Sequence, residues 1–201
     1  MRINLRLNLV WLVKIQCNTI NQSYKDHPLE KGTLLILGTG RCLKDDLSKC
    51  NEPVVDVATV NDAAMYYPGY TKHIFAIHSE MIPHIKAMRA VRKYSSNSFT
   101  HTLYMPNRNH FSDFAWDINP FGGTSAMLAV LAGLYMGYDH VILAGVPMDN
   151  SGHFWDIAED EVMVGLDGEN IRNFWKMMND EVFNGRVKSL SGWTRELLGN
   201  P

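Results

Sequence analysis

The residues best suited to chemistry lie in short segments rich in glycine, hydroxyl, amide and imidazole groups. Four of these segments follow apolar runs of strand length, and a fifth precedes a long apolar run; they cover 38–42, 59–62, 78–80, 146–153 and 122–125. Main-chain amides in glycine-rich turns and at helix N-termini bind anions, phosphate above all. The composition of these segments therefore predicts a phosphorylated ligand.

The segment before the long apolar run has the properties of a helix start that binds an anion. Gly122 and Gly123 let the backbone approach a ligand closely, and Thr124 or Ser125 can cap a helix over 126–138. The first amides of a helix have no partner within it, and the helix dipole is positive there. We expect Gly122, Gly123, Thr124 and Ser125 to contact phosphate.

A Gly-x-Gly turn follows the apolar run 33–37. The third glycine of a dinucleotide-binding fingerprint is replaced by Leu43, while Asp56 stands near the spacing of a ribose-binding acid. Three interpretations stay open: binding of NAD, a tight turn without a ligand, or a phosphate or ribose contact of a mononucleotide. The residues that would make this contact are Gly38, Thr39, Gly40 and Arg41.

The remaining polar segments offer base-binding and acid–base groups. Asn61 has an amide suited to a base or ribose, unless Asn61 or Asp62 caps a helix. His78 is either a general acid or base or a hydrogen-bonded structural histidine. Asp149 and His153 are suited to acid–base catalysis, and Asp149 also to holding Mg²⁺ with nucleotide phosphates, although Asp-Asn-Ser-Gly is a typical turn sequence.

Apolar runs alternate with helical patterns along most of the chain. Strands are predicted at 33–37, 54–58, 73–77, 103–105 and 141–145; helices at 43–50, 61–67, 80–93 (capped by Ser79), 126–138, 169–183 and 194–198; and a loop at 106–120. This alternation predicts the α/β class: a single Rossmann-like domain with a mostly parallel, doubly wound sheet. Because such sheets bind ligands beyond the carboxyl ends of their strands, the polar segments are expected to meet there.

The first residues differ from the rest of the chain. Residues 1–17 alternate apolar and polar side chains, a strand pattern, and 18–32 form a polar linker. We therefore divide the chain into an N-terminal extension and linker, 1–32, and a nucleotide-binding domain, 33–201. An edge strand, a hairpin arm, a contact between copies in a homo-oligomer and a poorly ordered extension are the open interpretations of residues 1–17.

The composition is that of a soluble globular protein. The chain has 201 residues, of which 46% are hydrophobic and 20% charged, with a net charge of -2. This balance gives no basis for general nucleic-acid binding. No apolar run is long enough to span a membrane. The three cysteines form no CxxC pair, so we expect no structural zinc and no disulfide framework, and a cytoplasmic location.

Three stretches in order resemble a superfamily of Rossmann-like transferases: ILGTGRCL, ATVNDAAMYYPG and GGTSAMLAVLAGLYMGYDHVILAGVPMD. This superfamily includes the bacterial sialyltransferases that use CMP-sialic acid and the 6-hydroxymethylpterin diphosphokinase-like proteins. Short phage and prophage proteins of unassigned function are similar in size and in the C-terminal RVKSLSGWTRELLG. The resemblance covers about 33–145 and implies that the nucleotide is contacted by Gly38, Thr39, Gly40, Asn61, Gly123, Thr124 and Ser125.

The chain departs from the sialyltransferase pattern at the catalytic end. The family's Asn-Gly-Pro-Ser loop is replaced by residues 39–42, and its Gly-Ile-Asp strand end by residues 145–147. Asp149 and Trp155 stand near the places of two family tyrosines, and no histidine follows His153, although the family's catalytic histidine comes later. The resemblance thus supports nucleotide binding more than sialyl transfer.

These observations lead to three functional hypotheses. The first is a transferase that uses a nucleotide or nucleotide-sugar donor for glycosyl or diphosphoryl transfer. The second is a non-catalytic phage or prophage accessory or assembly protein, which would act in the host cytoplasm. The third is an NAD-dependent oxidoreductase.

Overall fold

The computed structural model describes residues 14–18, 28–95, 97–106, 111–119, 123–149, 151–156 and 168–201. Within these ranges eight strands form one sheet in the order β1-β6-β5-β4-β3-β2-β7-β8. The strands are β1 Lys14–Asn18, β2 Thr33–Leu37, β3 Asp56–Val60, β4 His73–Phe75, β5 Phe99–Leu103, β6 Phe114–Asn119, β7 His140–Ala144 and β8 Val187–Ser189. Strands β2 to β8 are parallel, and β1 runs antiparallel to β6 at one edge.

Helices cover both faces of the sheet. They are α1 Leu43–Lys49, α2 Ala63–Tyr66, α3 Ile82–Val91, α4 Ser125–Met136, α5 Glu169–Met178 and α6 Gly192–Leu198, with a 3-10 turn Ser79–Met81 before α3 and a π-helical turn Asn179–Phe183 after α5. Helix α4 and side chains of α5 and α6 share one core cluster, while α1, α2 and α3 pack into two other clusters. The described helices include none with the length and apolar character that crossing a membrane requires.

Helix α4 is the centre of the core. Almost all of its side chains are buried, and it packs against β2, β3, β4 and β7. Gly133 allows close approach, because a Cβ there would lie 2.9 Å from the side chain of Leu34 on β2. The helix ends at Gly137, which has a φ of +104° and takes the left-handed conformation that suits glycine.

The predicted α/β class with a mostly parallel sheet is confirmed, but several element predictions were wrong. The loop predicted at 106–120 contains β6, and the strand predicted at 103–105 is β5, which begins at Phe99. Strand β8 was missed because three residues give too short a pattern. Ser79 is not the N-cap of α3, which is Met81, but begins the 3-10 turn before it. Of residues 1–17, only 14–17 lie in the described part, where they belong to the edge strand β1.

A ladder of buried polar side chains crosses the sheet on the face that α4 covers. The indole N–H of Trp116 lies 3.1 Å from Nδ1 of His101, whose Nε2 is 2.9 Å from Nδ1 of His73. Nε2 of His73 is 3.1 Å from the hydroxyl of Tyr138, which donates to Asp56 at 2.7 Å. Because an indole only donates, these bonds are satisfied when both imidazoles are neutral and carry their proton on Nε2.

Burial keeps both histidines of this ladder neutral. It lowers the pKa of His73 to about 3, with a further contribution from the charge of Lys72. Burial, together with His73, also lowers the pKa of His101 well below its ordinary value. An unfolded histidine has a pKa of about 6.5, so between these values the unfolded chain binds more protons than the folded one. The contribution of these neutral histidines to the free energy of unfolding is therefore fully present above about pH 6.5 and decreases as the pH falls toward 3.

We expect the urea concentration at half-unfolding to fall when the pH is lowered from about 7 to about 5, because each neutral histidine costs on the order of 1 kcal/mol per pH unit in that window. His84 on α3 is exposed, so His84→Gln should keep this dependence, whereas His101→Gln should weaken it. A stability that does not change over this pH range, or that depends equally on His84, would contradict the assignment.

Candidate functional site

A cleft opens beyond the carboxyl ends of the strands, where the strand order changes direction between β2 and β7. It is formed by the loops after β2, β3 and β7 and by the start of α4. Its lining residues are Gly38, Thr39, Gly40, Val60, Asn61, Thr124, Ser125, Ala126, Gly145, Val146, Pro147 and Met148. Sheets of this class bind ligands at such a switch point.

The cleft brings together many, but not all, of the residues predicted from the sequence. Gly38, Thr39, Gly40, Asn61, Thr124 and Ser125 lie on its wall. Of the predicted residues that the structure describes, Arg41, His78, Gly123, Asp149 and His153 do not line it. Gly122 is outside the described residues.

The glycine turn after β2, which was predicted to contact a ligand, also makes hydrogen bonds within the fold. The amides of Gly38 and Gly40 donate to the carbonyl oxygens of Ala144 and Gly145, both at 2.8 Å. A Cβ at Gly38 would overlap the Gly145 carbonyl, and one at Gly40 would lie 2.5 Å from Pro147 Cδ. Both of these amides therefore already donate hydrogen bonds within the protein. The amide of Thr39, between them, has no partner among the described residues.

The start of α4 presents unpaired donors to the cleft. The side chain of Thr124 accepts a bond from the Met127 amide at 3.1 Å, and the Ser125 hydroxyl accepts one from the Ile77 amide at 3.2 Å. Within the described part of the chain, the amides of Ser125 and Ala126 have no acceptor. These two N–H groups are free donors of the kind that a helix start provides, and their role in binding an anion stays a prediction.

Two cleft residues have unusual backbone conformations. Asn61 has a φ of +49° and Met148 a φ of +54°. Asparagine tolerates the left-handed region, whereas the conformation of Met148 is uncommon for a side chain of its size. The half-buried side-chain amide of Asn61 bonds to no other described residue, so it is available to a ligand.

A segment after β7 lies across the glycine turn and carries His153. Gly40 and His153 form an antiparallel bridge, flanked by bonds from the Arg41 amide to Gly152 at 3.1 Å and from the Phe154 amide to Thr39 at 3.0 Å. His153 therefore stands next to the cleft, and its buried Nδ1 has no partner among the described residues.

The other predicted acid–base groups have different surroundings. Asp149 accepts bonds from the amide and hydroxyl of Ser151, at 3.0 and 2.6 Å, as the turn interpretation requires. It follows Met148, so it lies at the rim of the cleft. His78 is exposed and pairs with Glu80 at 3.5 Å. In the described ranges no group of three His, Cys, Asp or Glu side chains is arranged to bind a metal ion.

A stack of side chains supports His153 and was not predicted. The Trp155 ring stacks with both His153 and Tyr66, with centroids 4.5 Å apart in both cases. The guanidinium of Arg92 lies 4.6 Å from the Tyr66 ring centroid. No sequence signal links these residues, because they come from three separate segments.

The structure argues against the dinucleotide interpretation of Asp56. This residue begins β3, at the opposite end of the strand from the cleft, about 13 Å away for four residue steps. Its carboxylate bonds to Lys72 at 2.8 Å and to Tyr138 at 2.7 Å. It cannot act as the ribose-binding acid of an NAD site in this cleft.

Comparisons with known proteins give limited similarity. No family model matches this chain, and no curated protein matches it significantly. One solved structure with a similar chain arrangement is the sialyltransferase CstII from Campylobacter jejuni in complex with a substrate analogue, cytidine-5'-monophosphate. The two chains are 12% identical, the match covers 84% of each, and the TM-score is 0.49.

We expect Thr124→Ala to lower the free energy of unfolding by about 1 kcal/mol, because it removes the N-cap of α4. Thr124→Ser keeps the capping oxygen and should retain most of that stability. Urea denaturation of the two variants measures the difference. Equal losses would show that the hydroxyl bond to Met127 does not stabilise the helix start.

Proposed function

We propose that this chain binds a nucleotide or a nucleotide-activated donor in the cleft, with a phosphate on the amides of Ser125 and Ala126. The observation that supports this most is the pair of unpartnered amides at the start of the buried, twelve-residue helix α4. A helix start of this kind favours a negatively charged group through its free N–H groups and its dipole. The amide of Thr39, another lining residue, would be a further donor.

The size of the cleft defines which part of the ligand it holds. Its volume of about 80 Å³ is well below the roughly 300–1,000 Å³ of pockets that enclose a whole small molecule. It suits a phosphate or sugar-sized group better than a complete nucleotide. We assign Asn61 to the ribose or base, because its side-chain amide both donates and accepts.

The chemistry we propose is glycosyl or diphosphoryl transfer from the bound donor. His153 is the best-placed general acid or base, because it adjoins Gly40 on the cleft wall. Asp149, at the rim, would hold Mg²⁺ together with ligand phosphates, as sites for this ion usually combine one or two carboxylates with substrate oxygens. Nucleotide binding without any turnover would instead favour the non-catalytic hypothesis.

We expect CMP, CTP, ATP or a nucleotide sugar to bind saturably, as measured by isothermal titration calorimetry on folded protein. Asn61→Asp should weaken this binding by about tenfold or more, because it replaces a donor by a charge that repels phosphate. Asn184→Asp is the matched control, since Asn184 is exposed and has a φ of +50°. Failure of every nucleotide to bind would remove the proposal, and equal effects of the two variants would remove the role of Asn61.

A further inference from the structure

Arg172, in the first turns of α5, is a cation without a counter-ion in the described structure. Its side chain is half-buried, and no carboxylate of the described residues lies within ion-pair distance of it. Its Nη2 donates to the carbonyl oxygen of Met148 at 3.2 Å. Its Nε is buried and has no acceptor among the described residues.

The surroundings of Arg172 fix its guanidinium group beside the cleft. The group lies 5.1 Å from the ring centroid of Trp193, and the Trp193 amide donates to the carbonyl oxygen of Pro147 at 3.0 Å. Pro147 and Met148 both line the cleft. The arginine does not itself line the cleft, but it contacts the loop that forms this part of the cleft wall.

The described residues leave the charge of Arg172 unbalanced. A partly buried charge loses hydration, and a cation in the first turn of a helix is repelled by the positive end of the helix dipole. The loop that Arg172 contacts and the start of α4, with its unpaired amides, both line the cleft, so two sources of positive potential act on one region. Guanidinium groups bind phosphate oxygens through two parallel hydrogen bonds.

We propose that Arg172 is the cationic phosphate-binding residue of this site, so that the ligand class is phosphorylated and the corresponding neutral nucleoside is excluded. This inference rests on the proposed function, because it takes the cleft beside Met148 as the place of the ligand. Helix α5 thereby contributes to ligand binding in addition to core packing.

The experiment compares Arg172→Met and Arg172→Lys with Lys176→Met in titrations with CMP, cytidine and pyrophosphate. Lys176 is exposed and lies one turn further along α5. The wild-type protein should bind CMP at least tenfold more tightly than cytidine. Arg172→Met should remove most of this difference, Arg172→Lys should remove less, and Lys176→Met should leave it unchanged. Thermal denaturation of each variant identifies any that fails to fold, and Arg172→Lys remains informative if Arg172→Met does.

The outcomes separate this inference from the proposed function. Equal CMP affinity of the wild-type protein and a folded Arg172→Met variant overturns the role of Arg172 and leaves nucleotide binding intact. Pyrophosphate binding that depends on Arg172, without binding of CMP, CTP or ATP, supports the anion site and removes the nucleotide. Absence of binding by every probe overturns both.

Discussion

The structure depends on two main-chain hydrogen bonds that continue the pairing of β2 and β7 beyond the ends of both strands. The amides of Gly38 and Gly40 donate to Ala144 and Gly145, which brings the two loops closer than any side chain at Gly38 would permit. These two loops form part of the cleft wall, together with the loop after β3 and the start of α4, so their separation contributes to the width of the cleft. The close approach of the two loops therefore requires these glycines, whether or not a ligand binds.

The C-terminal segment is attached to the same point by a buried carboxylate. Asp46 is fully buried and accepts bonds from the Gly145 amide at 2.8 Å and from the Ser191 hydroxyl at 2.6 Å. Thr194 donates to the Val146 carbonyl at 2.6 Å, so α6 is bound to the loop after β7. Burial raises the pKa of the neighbouring Cys42 thiol to about 12. The thiol therefore stays protonated, and this cysteine belongs to the structural network.

The sequence predicted those structural elements that depend on the pattern of neighbouring residues along the chain. Helix α4 and strand β7 are long apolar runs, and a threonine caps the helix. The rule for parallel sheets grouped the loops after β2, β3, β4 and β7 with the start of α4, and all of these except the loop after β4 line the cleft. Strand β6 was missed because it lies between segments rich in proline and polar residues, although its centre packs through Trp116. The spacing of Asp56 left the NAD interpretation open, because spacing alone does not reveal at which end of a strand a residue lies. The contacts of Trp155 and Arg172 join distant segments, which a local pattern cannot predict.

The histidine ladder has a consequence for how the sheet selects its pairing. All of its bonds run in one direction, from Trp116 through His101 and His73 to Tyr138 and Asp56, so the protons have a single low-energy arrangement. Shifting β5 by one residue would turn His101 to the opposite face and break its bonds to both neighbouring strands. An apolar strand tolerates such slips, because one aliphatic side chain replaces another. The ladder therefore marks one alignment of β4, β5 and β6 as correct, and misaligned sheets bury imidazole without partners.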